Sequence, residues 1–132
     1  MGVEKDFIMR QLLMLFEVIQ KILRRRQNGD EKEAQEEIKY FYQILNIEKD
    51  VKKLGIEQLI ELLEKEKKLT NEHIEMVAFV LKEQGELEDD VVQRIDFFRK
   101  SYFLLQKVDR ESITFSMDRQ MKLAELKEYL KN

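Results

Sequence analysis

The chain has 132 residues and a formal net charge of −3; 39% of its residues are charged and 43% are hydrophobic. This apolar content is enough for a hydrophobic core and excludes a disordered chain, while the mild net charge singles out no class of partner. The sequence contains no cysteine and no proline. Disulfides and thiol catalysis are therefore excluded, and no segment is barred from forming a long helix.

The first predicted helix covers about residues 4–28, and its apolar residues form two stripes at helical spacing. One stripe is Ile8, Leu12, Leu15, Ile19 and Ile22, and the other is Met9, Leu13, Phe16 and Leu23. A single neighbouring helix cannot cover an apolar face of this width. We therefore expect this helix to be central or to carry an interface.

Five more helices follow in the prediction, over about residues 31–46, 56–68, 71–84, 88–108 and 112–130. Gly29 and Asp30 predict the first turn, with Asp30 as an N-cap. The polar, aperiodic segment 46–54 predicts a loop. Gly85 is expected to end the fourth helix and Ser112 to cap the last one. The predicted core residues are Ala34, Ile38, Phe41, Tyr42, Leu45, Ile56, Leu59, Ile60, Leu62, Leu63, Ile74, Val77, Ala78, Leu81, Val91, Ile95, Phe98, Tyr102, Leu105, Phe115, Leu123, Leu126 and Leu130.

The sequence predicts an all-α fold of about six helices in antiparallel hairpins, because no segment alternates as a strand does. Two architectures fit this pattern, a tetratricopeptide-repeat-like stack and an irregular helical bundle. No linker composition interrupts residues 1–132, so we expect a single domain. No apolar run approaches membrane-spanning length and no signal peptide is recognisable, so we expect a cytoplasmic protein without a membrane contact.

Two resemblances support this prediction. The segment from Gly29 to Ala34, followed by Ile38, resembles the turn and second helix of a tetratricopeptide repeat, in which a glycine, a small residue and a bulky residue have this spacing. Near Gly85 the corresponding small position holds Asp90, so the resemblance covers one unit. The opening Glu4–Arg10, with the long apolar helix that follows, is similar to an uncharacterised bacterial family of small cytosolic all-helical proteins. That resemblance covers about residues 4–63 and implies a fold, but no activity or cofactor.

No residue pattern predicts catalysis or a cofactor. His73 is the only histidine, whereas zinc-protease and diiron motifs need two histidines at defined spacings. We interpret His73 as an exposed residue in the first turn of its helix. Carboxylates such as Glu57 and Glu61 alternate with lysines, as they do on solvated helix faces. We therefore predict that the chain is not an enzyme and holds no metal or cofactor.

The preferred functional interpretation is a helical-repeat-like module that binds a protein partner or a second copy of itself. Apolar residues beyond the core stripes indicate the candidate interface. They are Met9, Leu13, Phe16, Leu23, Tyr40, Phe97 and Phe103. Because a symmetric dimer through the first helix would cover its second stripe, a homodimer is favoured.

The alternative interpretation is a regulator that contacts nucleic acid. Arg24, Arg25 and Arg26 form the densest basic cluster, and the C-terminal helix is also basic. Such a cluster can contact phosphates. However, cations in the last turn of a helix also complement its dipole, and the chain as a whole is acidic. Nucleic acid is therefore the less favoured partner.

Overall fold

The computed structural model describes residues 2–131, with side chains from Glu4 to Lys131. The described part contains helices and turns but no strand, which confirms the all-α prediction. The six α-helices are α1 (Gly2–Gln27), α2 (Glu31–Ile44), α3 (Ile56–Glu61), α4 (Asn71–Leu87), α5 (Val91–Glu111) and α6 (Met117–Tyr129). A 3₁₀ turn over Val51–Lys53 precedes α3, and a π-helical turn over Leu62–Glu66 continues it.

The chain divides into two compact units, one extending through Glu48 and the other beginning at Lys49. The prediction of a single domain over residues 1–132 stays a prediction.

The first unit is a hairpin in which α1 packs against α2. Gly29 makes the turn in the left-handed region, with φ +81°, where glycine has no steric penalty. Asp30 occupies the N-cap position of α2 as predicted, but its side chain makes no capping hydrogen bond. The Asp30 carboxylate lies instead 3.9 Å from the Arg25 guanidinium. The buried residues are Leu15, Val18, Ile19, Ile22, Ala34, Ile38, Phe41, Leu45 and Ile47.

In the second unit, α5 packs against both α4 and α6. Its buried apolar residues are Val51, Leu59, Leu62, Leu63, Ile74, Val77, Ala78, Val80, Leu81, Leu87, Phe97, Phe98, Leu104, Leu105, Val108 and Leu126. The segment predicted to be a loop contributes to this core through Val51, whose carbonyl accepts a hydrogen bond from Lys100 Nζ at 3.0 Å.

Two helix boundaries differ from the prediction. Gly85 does not end α4, which continues to Leu87; the Asp90 side chain then caps α5 by accepting a hydrogen bond from the Gln93 N–H. Ser112 ends α5, and the N-cap of α6 is Ser116, which accepts from the Arg119 N–H. Both predictions were wrong because Gly85 and Ser112 are locally good boundary residues, but the side chains that cap the next helices, Asp90 and Ser116, lie a few residues later.

These boundaries also correct two predicted core positions. Phe115 lies in the α5–α6 connection and is 70% exposed, and Val91 in the first turn of α5 is also 70% exposed. Phe98 and Leu105 of the predicted α5 stripe are buried, and the α5 core face also includes Phe97, Leu104 and Val108.

Candidate interaction surface

The first helix has one buried face and one exposed apolar stripe. Its buried face is formed by Leu15, Val18, Ile19 and Ile22. Met9, Leu13 and Phe16, which we call the α1 stripe, are 53%, 61% and 49% exposed. Residues spaced by four and then three positions project from the same side of a helix. The α1 stripe is therefore a continuous apolar strip that the described chain does not cover.

The sequence prediction placed Leu23 with these three residues, and the structure finds it half-buried. Gln20, which lies between Phe16 and Leu23 on the same face, is exposed. The exposed apolar residues of this face are therefore Met9, Leu13 and Phe16, whereas Leu23, near the C-terminal end of α1, is partly covered.

Beside Met9, Leu13 and Phe16, charged side chains border the α1 stripe on one edge only. Arg10 and Glu17 on that edge are seven residues apart and are both exposed. The opposite edge is formed by Leu12 and Ile19, which are half-buried and buried. The surface is therefore an apolar strip with one charged, open border.

The other predicted interface residues lie on other helices. Tyr40 on α2 and Phe103 on α5 are 46% and 40% exposed, respectively. Phe97, also on α5, is only 4% exposed and belongs to the core, so it adds nothing to an exposed surface. Tyr40 in the first unit and Phe103 in the second therefore both have accessible side chains.

The arginine cluster occupies the last turn of α1, as predicted. Consecutive helical residues project about 100° apart, so the three side chains diverge around the helix. Arg24 and Arg25 are exposed, and Arg25 faces Asp30; Arg26 is half-buried and has a partner. This arrangement is typical of cations that complement a helix C-terminus and does not form one flat phosphate-binding face.

His73 is not the exposed residue that the sequence predicted, because it is only 3% exposed. Its ring Nδ1 accepts a hydrogen bond from the Thr70 backbone N–H at 3.3 Å and lies 2.7 Å from Thr70 Oγ1. The Thr70 hydroxyl in turn accepts from the His73 N–H, so the two residues form a reciprocal cap at the start of α4. Burial lowers the pKa of His73 despite the opposing effect of the Glu72 carboxylate.

Sequence reasoning missed the buried cations of the second unit. Arg119 donates to Glu75 at 2.7 Å, to Asp109 at 2.9 Å and to the Thr114 carbonyl at 2.7 Å. Lys82 and Lys100 are also buried, each beside a carboxylate. In a chain so rich in charge, nothing in the sequence distinguishes these residues from solvated ones. Their donors contact acceptors within the chain, which indicates a structural role.

Sequence reasoning also missed an exposed apolar cluster around the α5–α6 connection. It comprises Ile113, Phe115, Met117 and Met121, of which Ile113 is fully exposed. The sequence did contain a sign of it, because the two methionines are four residues apart and follow two isolated apolar residues, Ile113 and Phe115. Unlike the α1 stripe, half of this cluster belongs to a connection and not to a rigid helix face.

Among known proteins, no protein-family model, curated protein sequence or solved structure matches this chain. The resemblances to a tetratricopeptide unit and to a bacterial family therefore stay predictions.

Within residues 2–131, no group of three or more histidine, aspartate or glutamate side chains is placed to hold a metal ion. No helix of the described chain has the length and apolarity needed to cross a bilayer.

Proposed function

We propose that this chain is a non-enzymatic helical interaction module of the cytoplasm that binds a protein through the α1 stripe. The observation that carries the proposal is the exposure of Met9, Leu13 and Phe16 on one side of a regular helix. Large apolar side chains that are exposed singly are common on protein surfaces. Three at consecutive turns form a strip, and such strips are typical of sites where helices dock.

The side chains around the stripe support a protein ligand. A docking helix presents residues at the same four- and three-residue spacing, so it can insert its own apolar side chains between those of α1. The charged border formed by Arg10 and Glu17 carries both signs. That mixture can orient a polypeptide with alternating charge, whereas a nucleic acid backbone would be repelled by the carboxylate.

The environment of His73 supports a non-enzymatic role for the histidine. General acid–base catalysis needs a ring nitrogen within reach of a substrate. His73 is almost fully buried, and its Nδ1 accepts from the backbone of Thr70. The resemblance to helical-repeat proteins is a further reason to propose a binding role, because such proteins bind partners through their extended surfaces.

A photo-crosslinking residue introduced at Leu13 tests the proposal in living cells. Met14 provides the matched control, because it is the next residue and 41% exposed but projects about 100° away. We expect discrete protein adducts from position 13 that Phe16→Glu removes, and few from position 14. Equal adduct yields at both positions would overturn the proposal. If position 13 gives no adduct and the protein binds nucleic acid at low salt in a manner that Arg25→Glu abolishes, the nucleic-acid alternative is favoured.

A further inference from the structure

The α1 stripe continues a heptad pattern. Met9, Leu13, Phe16, Gln20 and Leu23 follow one another at intervals of four, three, four and three residues. This spacing is that of the seam in a two-stranded coiled coil, in which each seam residue inserts between four residues of the partner helix. A surface with this spacing fits another straight helix better than it fits a loop or a strand.

The single polar residue of the seam, Gln20, lies between Phe16 and Leu23 and is exposed. Consider an antiparallel pair of identical α1 helices in which Leu13 of one copy lies opposite Phe16 of the other. In this register, Gln20 of one copy lies opposite Met9 of the other. Each amide then lies toward the end of the paired region, where it can stay hydrated. The same register sets Leu23 against Asp6, near the start of α1, so the polar groups of the seam lie toward its two ends, where water reaches them.

The charged border fits the same register. Arg10 and Glu17 are seven residues apart on the open edge of the stripe. In the antiparallel register the open edges of the two helices lie on the same side of the pair. Glu17 of each copy then lies near Arg10 of the other copy. The two-fold symmetry forms this opposite-charge contact twice.

A parallel pair lacks this complementarity. There the open border of one helix would lie along the opposite border of its partner, and the residues of that border beside Glu17 are Leu12 and Ile19. Those residues are already half-buried and buried, so Glu17 would gain no cation. The charge pattern therefore favours the antiparallel pair.

From the heptad spacing and the border charges, we propose that a second copy of this chain occupies the α1 stripe, with the two α1 helices antiparallel and Leu13 of each copy opposite Phe16 of the other. This inference rests on the proposed function, since it names the protein that the stripe binds. It predicts a symmetric dimer that buries Met9, Leu13 and Phe16 of both copies and forms two Arg10–Glu17 contacts.

Sedimentation equilibrium of the full chain over a wide concentration range tests the dimer. We expect a reversible monomer–dimer equilibrium that Leu13→Glu abolishes, because two carboxylates would enter the apolar seam. Met14→Glu, the matched control on another side of the same helix, is expected to leave the dissociation constant unchanged. Circular dichroism of both variants verifies that they fold. A dimer that survives Leu13→Glu, or that Met14→Glu disrupts equally, would overturn the proposal.

Charge reversal tests the orientation. Arg10→Glu alone and Glu17→Arg alone each replace two attractions with two repulsions, and each is expected to weaken its own dimer by about tenfold. Mixing the two variants restores both attractions, since each chain then supplies the charge that the other lacks. We therefore expect the mixture to form heterodimers with nearly the affinity of the original chain. A mixture no tighter than its components would overturn the antiparallel register.

The two proposals fail in different ways. If the chain is monomeric at every concentration but position 13 still crosslinks to another protein, the second copy is excluded and the interaction module stands. If the chain is monomeric and position 13 yields no protein adduct, both proposals fail.

Discussion

The aromatic ring of Phe98 lies directly against the backbone of Gly85. A Cβ atom at Gly85 would be 2.4 Å from Cε1 and 2.6 Å from Cδ1 of that ring. Both residues are buried, and they belong to α4 and α5, which pack against each other. The glycine therefore permits the close approach of two helices, and its place within α4 has a packing reason.

Replacing Gly85 with alanine is expected to destabilise the protein. The methyl group would force the buried Phe98 ring to move, at a cost of about 1–3 kcal/mol. The gain in helix propensity, about 1 kcal/mol, offsets only part of this cost. The free energy of unfolding from urea denaturation measures the difference.

A double-mutant cycle with Phe98→Leu identifies the cause of that loss. Phe98→Leu alone leaves a cavity, which the methyl group of Gly85→Ala partly fills. The double variant should therefore be more stable than the sum of the two single changes predicts. Additive effects would show that the clash is not what destabilises Gly85→Ala.

Gly85 also shows what limits prediction from this sequence. The helices were predictable because apolar residues recur every three or four positions, and burial of Ile38, Phe41 and Leu105 agrees with that periodicity. A glycine inside a helix, however, has the same local sequence signal as a glycine at its end. Only the partner ring, thirteen residues further along the chain, distinguishes the two.

The candidate site was predictable to a similar extent. A second stripe on α1 follows from the sequence, and the exposure of Met9, Leu13 and Phe16 fits it. The burial of Phe97 and of His73 did not follow. Each depends on how α4 or α5 is rotated about its axis, which distant packing decides. For His73, the threonine three residues earlier was a usable sign of a capping box.

Replacing Arg119 with methionine is expected to destabilise the second unit by about 3 kcal/mol. The guanidinium is buried and donates to Glu75, Asp109 and the Thr114 carbonyl. Methionine keeps much of the volume but leaves two carboxylates without their cation. Arg119→Lys should also lose stability, because one ammonium group cannot reproduce the planar fork. Equal stability of Arg119→Lys and the original chain would contradict this account.

The effect of Arg119 is expected to depend on pH. Hydrogen bonds from Arg119 and Gln120 hold the pKa of Asp109 below its ordinary value of about 3.8. The ionised carboxylate therefore adds stability above that value, and this contribution is lost as the pH falls through the lower folded-state pKa. The stability difference between the original chain and Arg119→Met should be full at neutral pH and smaller in acid. Urea titrations across the acid range measure it.

His73 should make the protein less stable as the pH falls below about 6.5, the ordinary pKa of histidine. Because burial lowers its pKa in the folded state, the unfolded chain binds a proton first. Stability therefore decreases between the unfolded and the folded pKa and then levels off. Protonation of Nδ1 would also remove the acceptor for the Thr70 N–H.

The matched variant for this effect is His73→Gln, because glutamine suits the third position of a capping box and does not titrate. Its urea midpoint should stay constant through the interval in which that of the original chain decreases. An identical decrease in both proteins would assign the pH dependence to other groups.

Leu13 and Leu15 are two residues apart on α1, but truncating them to alanine is expected to change the free energy of unfolding by very different amounts. Leu15 is fully buried, so Leu15→Ala should lower the free energy of unfolding by about 2–5 kcal/mol. Leu13 is 61% exposed, so Leu13→Ala should change it by about 0.5 kcal/mol or less in dilute, monomeric protein.

Thermal unfolding at several protein concentrations then separates the effect of Leu13→Ala on folding from its effect on association. If a second copy covers the α1 stripe, the melting temperature of the original chain rises with concentration and that of Leu13→Ala rises less. A large loss in Leu13→Ala at the lowest concentration would instead mean that the stripe is covered within one chain.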